Sequence, residues 1–135
     1  MSDCLFCKII AGDIPSAKLY EDEQVYAFLD INPVNPGHAL VIPKAHASDL
    51  NGTTDEDAAA VIRTVKRLGP KILEATGATA YNVMSNVGGD AGQIIFHTHV
   101  HIVPRRPGDG FQHWAQGKYA DGEMAALCQK VQALL

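Results

Sequence analysis

Short apolar runs separated by polar turns fill the first third of the chain, and a helical period follows. Residues 6–10 form a short apolar segment, closed by Asp13-Ile14-Pro15-Ser16, which reads as a turn. Residues 18–21 and 25–29 read as two strands joined by the polar turn Asp22-Glu23-Gln24. The stretch Asn32-Pro33-Val34-Asn35-Pro36-Gly37 is dense in turn formers and predicts a loop. Residues 38–43 are nearly all apolar, which suits a third strand in a central place. Thr53 or Thr54 can cap a helix whose first turn holds Asp55, Glu56 and Asp57, where the dipole favours acids. Val61, Ile62, Val65, Leu68, Ile72 and Leu73 then repeat at helical spacing up to a stop at Gly77, with Pro70 expected to bend the helix or shift its boundary. Residues 81–85 read as a fourth strand, 86–92 as a glycine-rich loop, and the β-branched run 94–103 as a fifth strand stopped by Pro104. Residues 122–135 predict a C-terminal helix with Met124, Leu127, Cys128, Val131 and Leu135 on one stripe. This order predicts an α+β fold: a mainly antiparallel five-stranded sheet with one long helix and a C-terminal helix.

Composition narrows the class. The 135 residues predict a single domain over 1–135, and 47% hydrophobic against 19% charged residues exclude a disordered chain. Eleven basic and fifteen acidic residues give a net charge of −4, which argues against a broad grip on nucleic acid. No apolar run approaches the roughly 18 residues of a membrane span, and the N-terminus lacks the positive and apolar regions of a signal peptide. An odd count of three cysteines without an export signal predicts a reducing, cytoplasmic setting. The pair Cys4-x-x-Cys7 is then a metal clip, a redox site or incidental.

The chemistry concentrates in His97-Thr98-His99-Val100-His101-Ile102-Val103. Strand side chains alternate faces, so the three histidines point one way at spacings of about 6.5–7 Å, with Val100 and Ile102 opposite them. Such a row can collect a metal ion. It can instead present one neutral imidazole as a nucleophile while its neighbours bind developing charge. The glycine-rich loop just before it can offer backbone N–H groups to an anion, which favours phosphate chemistry.

The segment 92–105, built on that His-x-His-x-His row and ending in Pro104-Arg105, resembles the signature of the histidine triad family of nucleotide-binding hydrolases and transferases. Residues 4–15, 25–33 and 36–46 resemble three further blocks of the family, in its order and spacing, so the likeness covers about residues 4–106. Thr98 departs from it, being polar where the pattern has an apolar residue, and the tail 107–135 matches no motif.

The resemblance implies a homodimer whose sheets join edge to edge. It implies a hydrolase acting at the α-phosphate of a purine nucleotide, of phosphoramidate or dinucleoside polyphosphate type, through a nucleotidyl-histidine. A nucleotide-sensing module with little turnover, or a nucleotidyl transferase or phosphorylase, are the alternatives. His99 takes the nucleophile's place, His101 that of the group binding developing charge, and His38 that of the residue orienting the nucleophile. Asn86 matches a phosphate-contacting amide, Gln93 another polar residue near the phosphates, and Asp30 the acceptor of the ribose hydroxyls. Phe6, Ile9, Phe28, Leu29 and Ile31 match an apolar slot that stacks the base with loose purine selectivity. Some bacterial-type members bind zinc through the positions of Cys4, Cys7, His46 and His97. Four protein ligands make such a site structural, with no open position.

Overall fold

The structure, a computed structural model, describes residues 3–135. Five strands form one sheet in the order β1-β2-β3-β5-β4: β1 Lys18–Glu21, β2 Val25–Leu29, β3 Ala39–Pro43, β4 Ala80–Met84 and β5 Val100–Arg105. Every neighbouring pair is antiparallel. The central strand β3 is buried along its whole length, as its apolar run predicts. Helix α2, Asp55–Thr76, covers one face. The Thr54 hydroxyl accepts from the Asp57 amide at its start, and Gly77, at φ 73°, closes it. The helix runs unbroken through Pro70, which lies on the exposed side, where the carbonyl it displaces can turn to water.

That face packs Ala39, Val41, Val100 and Ile102 of the sheet against Val61, Val65 and Ile72 of α2. The opposite face holds Leu40, Ile42, Tyr26 and Phe28 under a short helix α1, Leu5–Ala11, which contributes Phe6 and Ile9. The apolar segment 6–10 is thus one helical turn and a half rather than an unassigned run. Cys4 caps it, its Sγ accepting from the Cys7 amide at 3.4 Å.

Two further differences from the sequence reading have a physical cause. The fifth strand begins at Val100, not at Ile94. Pairing with β3 beyond Val41–Val100 would bring Thr98 opposite Pro43, which has no N–H to donate. The Thr98 amide turns instead to the Ala47 carbonyl at 2.9 Å. At its other end the strand passes through Pro104 to Arg105. The β3 pairing has ended at Ala39–Ile102 by then, and the Pro104 carbonyl on that side accepts from Asn35 Nδ2 at 2.9 Å, so the missing N–H interrupts no ladder. The C-terminal helix forms as α3, Glu123–Leu134. None of its residues is buried, and the stripe residues Met124, Leu127 and Val131 are exposed. No helix among the described residues is long and apolar enough to cross a membrane.

Candidate active site and metal centre

A cleft of about 470 Å³ opens between α1, the outer end of β2, and the segment 92–101. Phe6, Ile9, Phe28, Leu29, Asp30, Ile31, Asn86, His99 and His101 line it. Phe6, Ile9 and Phe28 belong to the core as well, so the floor of the slot is rigid, whereas Ile31 is 88% exposed at the rim. The Phe6 ring stands edge-on to Phe28 at 5.5 Å and to His99 at 5.1 Å between centroids. Gly92 of the glycine-rich loop lines it too, and Leu5, Ile14, Pro15, Ser16, Asn32, Leu40, Ile94 and Ile95, which the sequence reading missed, complete the lining. Leu40 alone had a signal: it lies two residues after His38 on the same face of the strand.

The proton positions in the histidine row follow from their partners. His99 Nδ1 lies 2.6 Å from the His97 carbonyl, which only accepts, so Nδ1 carries the hydrogen and Nε2 keeps its lone pair. The Ser85 hydroxyl donates to the His99 carbonyl at 2.7 Å and holds the same residue from the β4 side. The ring of His101 stands 5.0 Å from that of His99. Behind His101 sits His38, buried and outside the cleft, with its Nε2 at 2.9 Å from His101 Nδ1. The Val34 amide donates to His38 Nδ1 at 3.1 Å. His38 therefore carries its hydrogen on Nε2 and gives it to His101 Nδ1, which leaves the hydrogen of neutral His101 on Nε2. The expected contact of His38 with the nucleophile is not made: His38 orients His101, and a backbone carbonyl orients His99. Burial, more than repulsion from its neighbours, pushes His101 down to about 4, and burial lowers His38 as well.

The polar residues divide. Asp30 Oδ1 accepts from the Asn32 amide at 2.8 Å, and Oδ2 stands 3.7 Å from His38 Nε2 at the cleft wall. Asn86 Nδ2 reaches the Gly92 carbonyl at 3.4 Å, also at the wall. Gln93 does not enter the cleft. It is buried, with Nε2 donating to the Ser48 and Ile95 carbonyls and Oε1 accepting from the Gly88 amide. Its amide folds the glycine-rich loop instead of facing a phosphate.

Next to the cleft, Cys4, Cys7, His46 and His97 bring one ligand atom each within 4.8 Å of one another. Cys4 Sγ is 3.4 Å and Cys7 Sγ 3.6 Å from His97 Nδ1, Cys7 Sγ is 3.5 Å from His46 Nδ1, and the two Nδ1 atoms are 3.2 Å apart. A tetrahedral zinc with bonds of about 2.0–2.3 Å has N–N and N–S edges of about 3.3–3.6 Å, so the four atoms already lie near the corners of such a site. His97 Nε2 donates to the Pro43 carbonyl at 2.8 Å, which turns the Nδ1 lone pair to the centre. The cluster can hold a metal ion.

With this geometry in view, the HIT domain model matches residues 11–108. The chain belongs to the HIT domain family. The matched span holds His38, His46 and the His-x-His-x-His row, while Cys4 and Cys7 precede it. The chain is 47% identical over 102 residues to the adenosine 5'-monophosphoramidase hnt1 of Schizosaccharomyces pombe, covering 76% of this chain and 74% of that one. It is 46% identical over 108 residues to the adenylylsulfatase HINT3 of Arabidopsis thaliana, covering 80% of this chain and 55% of that protein. Among solved structures, SMU.412c of Streptococcus mutans superposes with a TM-score of 0.94 at 42% identity, over 99% of this chain and 86% of that one. A zinc-bound histidine triad family protein of Mycobacterium smegmatis superposes with a TM-score of 0.79 at 38% identity, over 98% of both chains. The HIT fold, the five-stranded antiparallel sheet and the Cys4–Cys7 site thus agree with the resemblance.

Proposed function

We propose that this HIT protein hydrolyses purine nucleotide conjugates at the α-phosphate, with His99 as the nucleophile. The observation that carries the reading is the fixed tautomer of His99. Its Nδ1 hydrogen is taken by the His97 carbonyl at 2.6 Å, so its Nε2 lone pair is free in a ring that lines the cleft. In the first step Nε2 forms the bond to phosphorus, and the bond to the leaving group breaks with its electron pair on that group. A sulfate or nucleotide leaves as the anion, and an amine takes a proton from solvent. The His97 carbonyl then faces the Nδ1 hydrogen of a cationic ring and stabilises it. Water attacks phosphorus in the second step, releases the nucleoside monophosphate and a proton, and restores neutral His99. Dividing one displacement into two lowers each barrier.

The other residues take roles their positions allow. His101, as an Nε2 donor, faces the charge that develops on the phosphoryl or bridging atom. Asp30 offers Oδ2 to the ribose hydroxyls and Asn86 its amide to the phosphate, while Phe6, Ile9, Phe28, Leu29 and Ile31 take the base. The two named relatives act, by their names, on an adenosine phosphoramidate and an adenylyl sulfate, which share the adenylyl group and differ in what leaves. Zinc at Cys4, Cys7, His46 and His97 would supply a rigid anchor rather than a Lewis acid at phosphorus, since all four positions are protein ligands. A homodimer fits the open edge of β4, where Val83 and Met84 are exposed, and the unpacked stripe of α3.

The test is turnover of adenosine 5'-phosphoramidate and a diadenosine polyphosphate, with protein quenched in denaturant at alkaline pH, where a P–N bond survives, analysed for an adenylyl adduct on His99. Release of adenosine monophosphate and a trapped adduct are expected. Binding of adenosine monophosphate with no turnover of either compound would make the protein a nucleotide-binding module.

A further inference from the structure

The loop before β3 and the first turn of the tail are tied together at a point outside the cleft. Asn35 Nδ2 donates to the Pro104 carbonyl at 2.9 Å and to Asp109 Oδ2 at 3.2 Å. Asp109 is itself fixed. Arg105 grips its carboxylate with Nε and Nη2 at 2.7 and 3.1 Å, and the Arg106 and Phe111 amides donate to it at 3.2 and 3.1 Å. The Asp109 side chain is only 6% exposed, and Arg105 is held in turn by Asn82 Oδ1 and the Phe111 carbonyl. This node touches neither the cleft nor the metal cluster.

Its effect passes along the chain through the short turn 34–38. The Asn35 carbonyl accepts from the His38 amide at 3.0 Å, while the Val34 amide donates into the His38 ring. With Asn35 pinned from its side chain, the Val34 N–H is held against His38 Nδ1. That N–H, the only group among the described residues bonded to His38 Nδ1, sets which His38 nitrogen has the lone pair, with the Asp30 carboxylate 3.7 Å from Nε2 favouring the same tautomer, and hence which His101 nitrogen does. With it in place, His101 presents an N–H to the cleft. Without it, His38 can carry its hydrogen on Nδ1 and accept one from His101 Nδ1. His101 then turns a lone pair toward an anionic phosphate, where it repels the charge that a donor would stabilise.

We propose that Asn35 and Asp109 are positioning residues that set the proton donor of His101 by way of the Val34 amide and His38. The proposal rests on the hydrolase reading for its kinetic consequence but not for its structural one. Long-range proton–nitrogen correlation spectra of the ¹⁵N-labelled protein distinguish ring nitrogens with and without hydrogen, and so read each tautomer without turnover.

In the native protein, His38 and His101 should each be single Nε2–H tautomers. Asn35→Ala should give mixed tautomers at both and lower kcat by about ten- to a hundredfold, the scale of a misplaced reacting group. KM should stay within about twofold, since the cleft lining is untouched. Asp109→Asn, which keeps the side chain's shape and leaves Asn35 its bond to Pro104, should move both readouts the same way by less, and it serves if Asn35→Ala does not fold. Pure Nε2–H tautomers at His38 and His101 in the folded variants would overturn the proposal whatever the rate does. Mixed tautomers with unchanged kcat in a turning-over protein would overturn it too. Absence of turnover in the native protein would instead remove the hydrolase reading, and the tautomers would still decide the wiring.

Discussion

His99 and His101 stand two residues apart, yet different parts of the molecule fix their hydrogens. The local carbonyl at His97 serves His99, and His38 serves His101. Replacing His99 by Ala removes the lone pair but few contacts to a bound nucleotide. Turnover should fall by several orders of magnitude while adenosine monophosphate still binds, measured by steady-state kinetics beside calorimetric titration; near-native turnover would sink the mechanism. The buried rings also leave a mark on stability. His101 titrates at about 4 when folded against an ordinary 6.5, and His38 shifts the same way. Between those values the unfolded chain binds protons that the folded chain refuses. Stability is therefore intact above pH 6.5 and is lost as pH falls toward 4. Urea midpoints should drop through that window, and a flat profile would mean the rings are solvated. Much of this chemistry was legible in the sequence, because three histidines at a spacing of two stand out against any background. The sequence places Gln93 near the phosphates because an amide looks the same whether it faces a ligand or the backbone. Ser85, Val34 and Asn35 gave no signal, since what they do depends on neighbours far along the chain. Thr98, the one departure from the family pattern, is satisfied within the fold: its hydroxyl meets Thr53 Oγ1 at 2.7 Å and the Ala47 carbonyl at 3.3 Å.

At the scale of elements, legibility tracked local signals. Helix α2 is readable to within a residue at its start, where Thr53 and Thr54 both offer a cap and Thr54 takes it, and to the residue at Gly77. Helix α1 was not, since its seven residues carry too little periodicity. The start of β5 was hidden because what stops its pairing is Pro43, on another strand, and not a residue of the run itself. The loop into β3 carries an element-level prediction. Gly37 has φ +94°, and a Cβ there would stand 2.7 Å from Thr76 Cγ2, 3.0 Å from Ile72 Cγ2 and 3.2 Å from Pro104 Cγ. The backbone strain alone is about 1–2 kcal/mol, and the crowding against the end of α2 adds to it. Gly37→Ala should lower stability by about 2–3 kcal/mol, read as a shifted urea midpoint at constant slope. Because His38 follows directly, kcat should fall as well. A variant as stable as the native chain would show that this loop can move away from α2.

Across the whole molecule, the metal cluster joins what the chain order keeps apart. Its residues are Cys4, Cys7, His46 and His97, so a bound ion would link the N-terminal helix, the exit of β3 and the segment bearing His99. Phe6, between the two thiols in sequence, packs edge-on against His97 at 5.9 Å and His99 at 5.1 Å. The ion would thereby hold α1 against the cleft. The unfolded chain has no assembled site, so binding free energy goes into folding. Free metal at about a thousand times its Kd adds about 4 kcal/mol, on the order of 10–20 °C in Tm for a chain of this length. Protein purified without chelator should hold about one zinc per chain by elemental analysis, and stripping it should lower Tm on that scale. Hydrogen exchange should then quicken first in α1, whose hold on the sheet rests on the cysteine–metal bonds and on the buried Phe6 and Ile9. Catalysis should weaken without vanishing, because His99 is no ligand and its Nδ1 acceptor is the backbone of His97, not its ring. Protein that carries no zinc, or whose melting ignores its removal, would leave the four residues as a reduced polar cluster. Complete loss of turnover on stripping, with α1 still protected from exchange, would mean that the ion acts on the substrate itself and that His99 is not the group that attacks phosphorus.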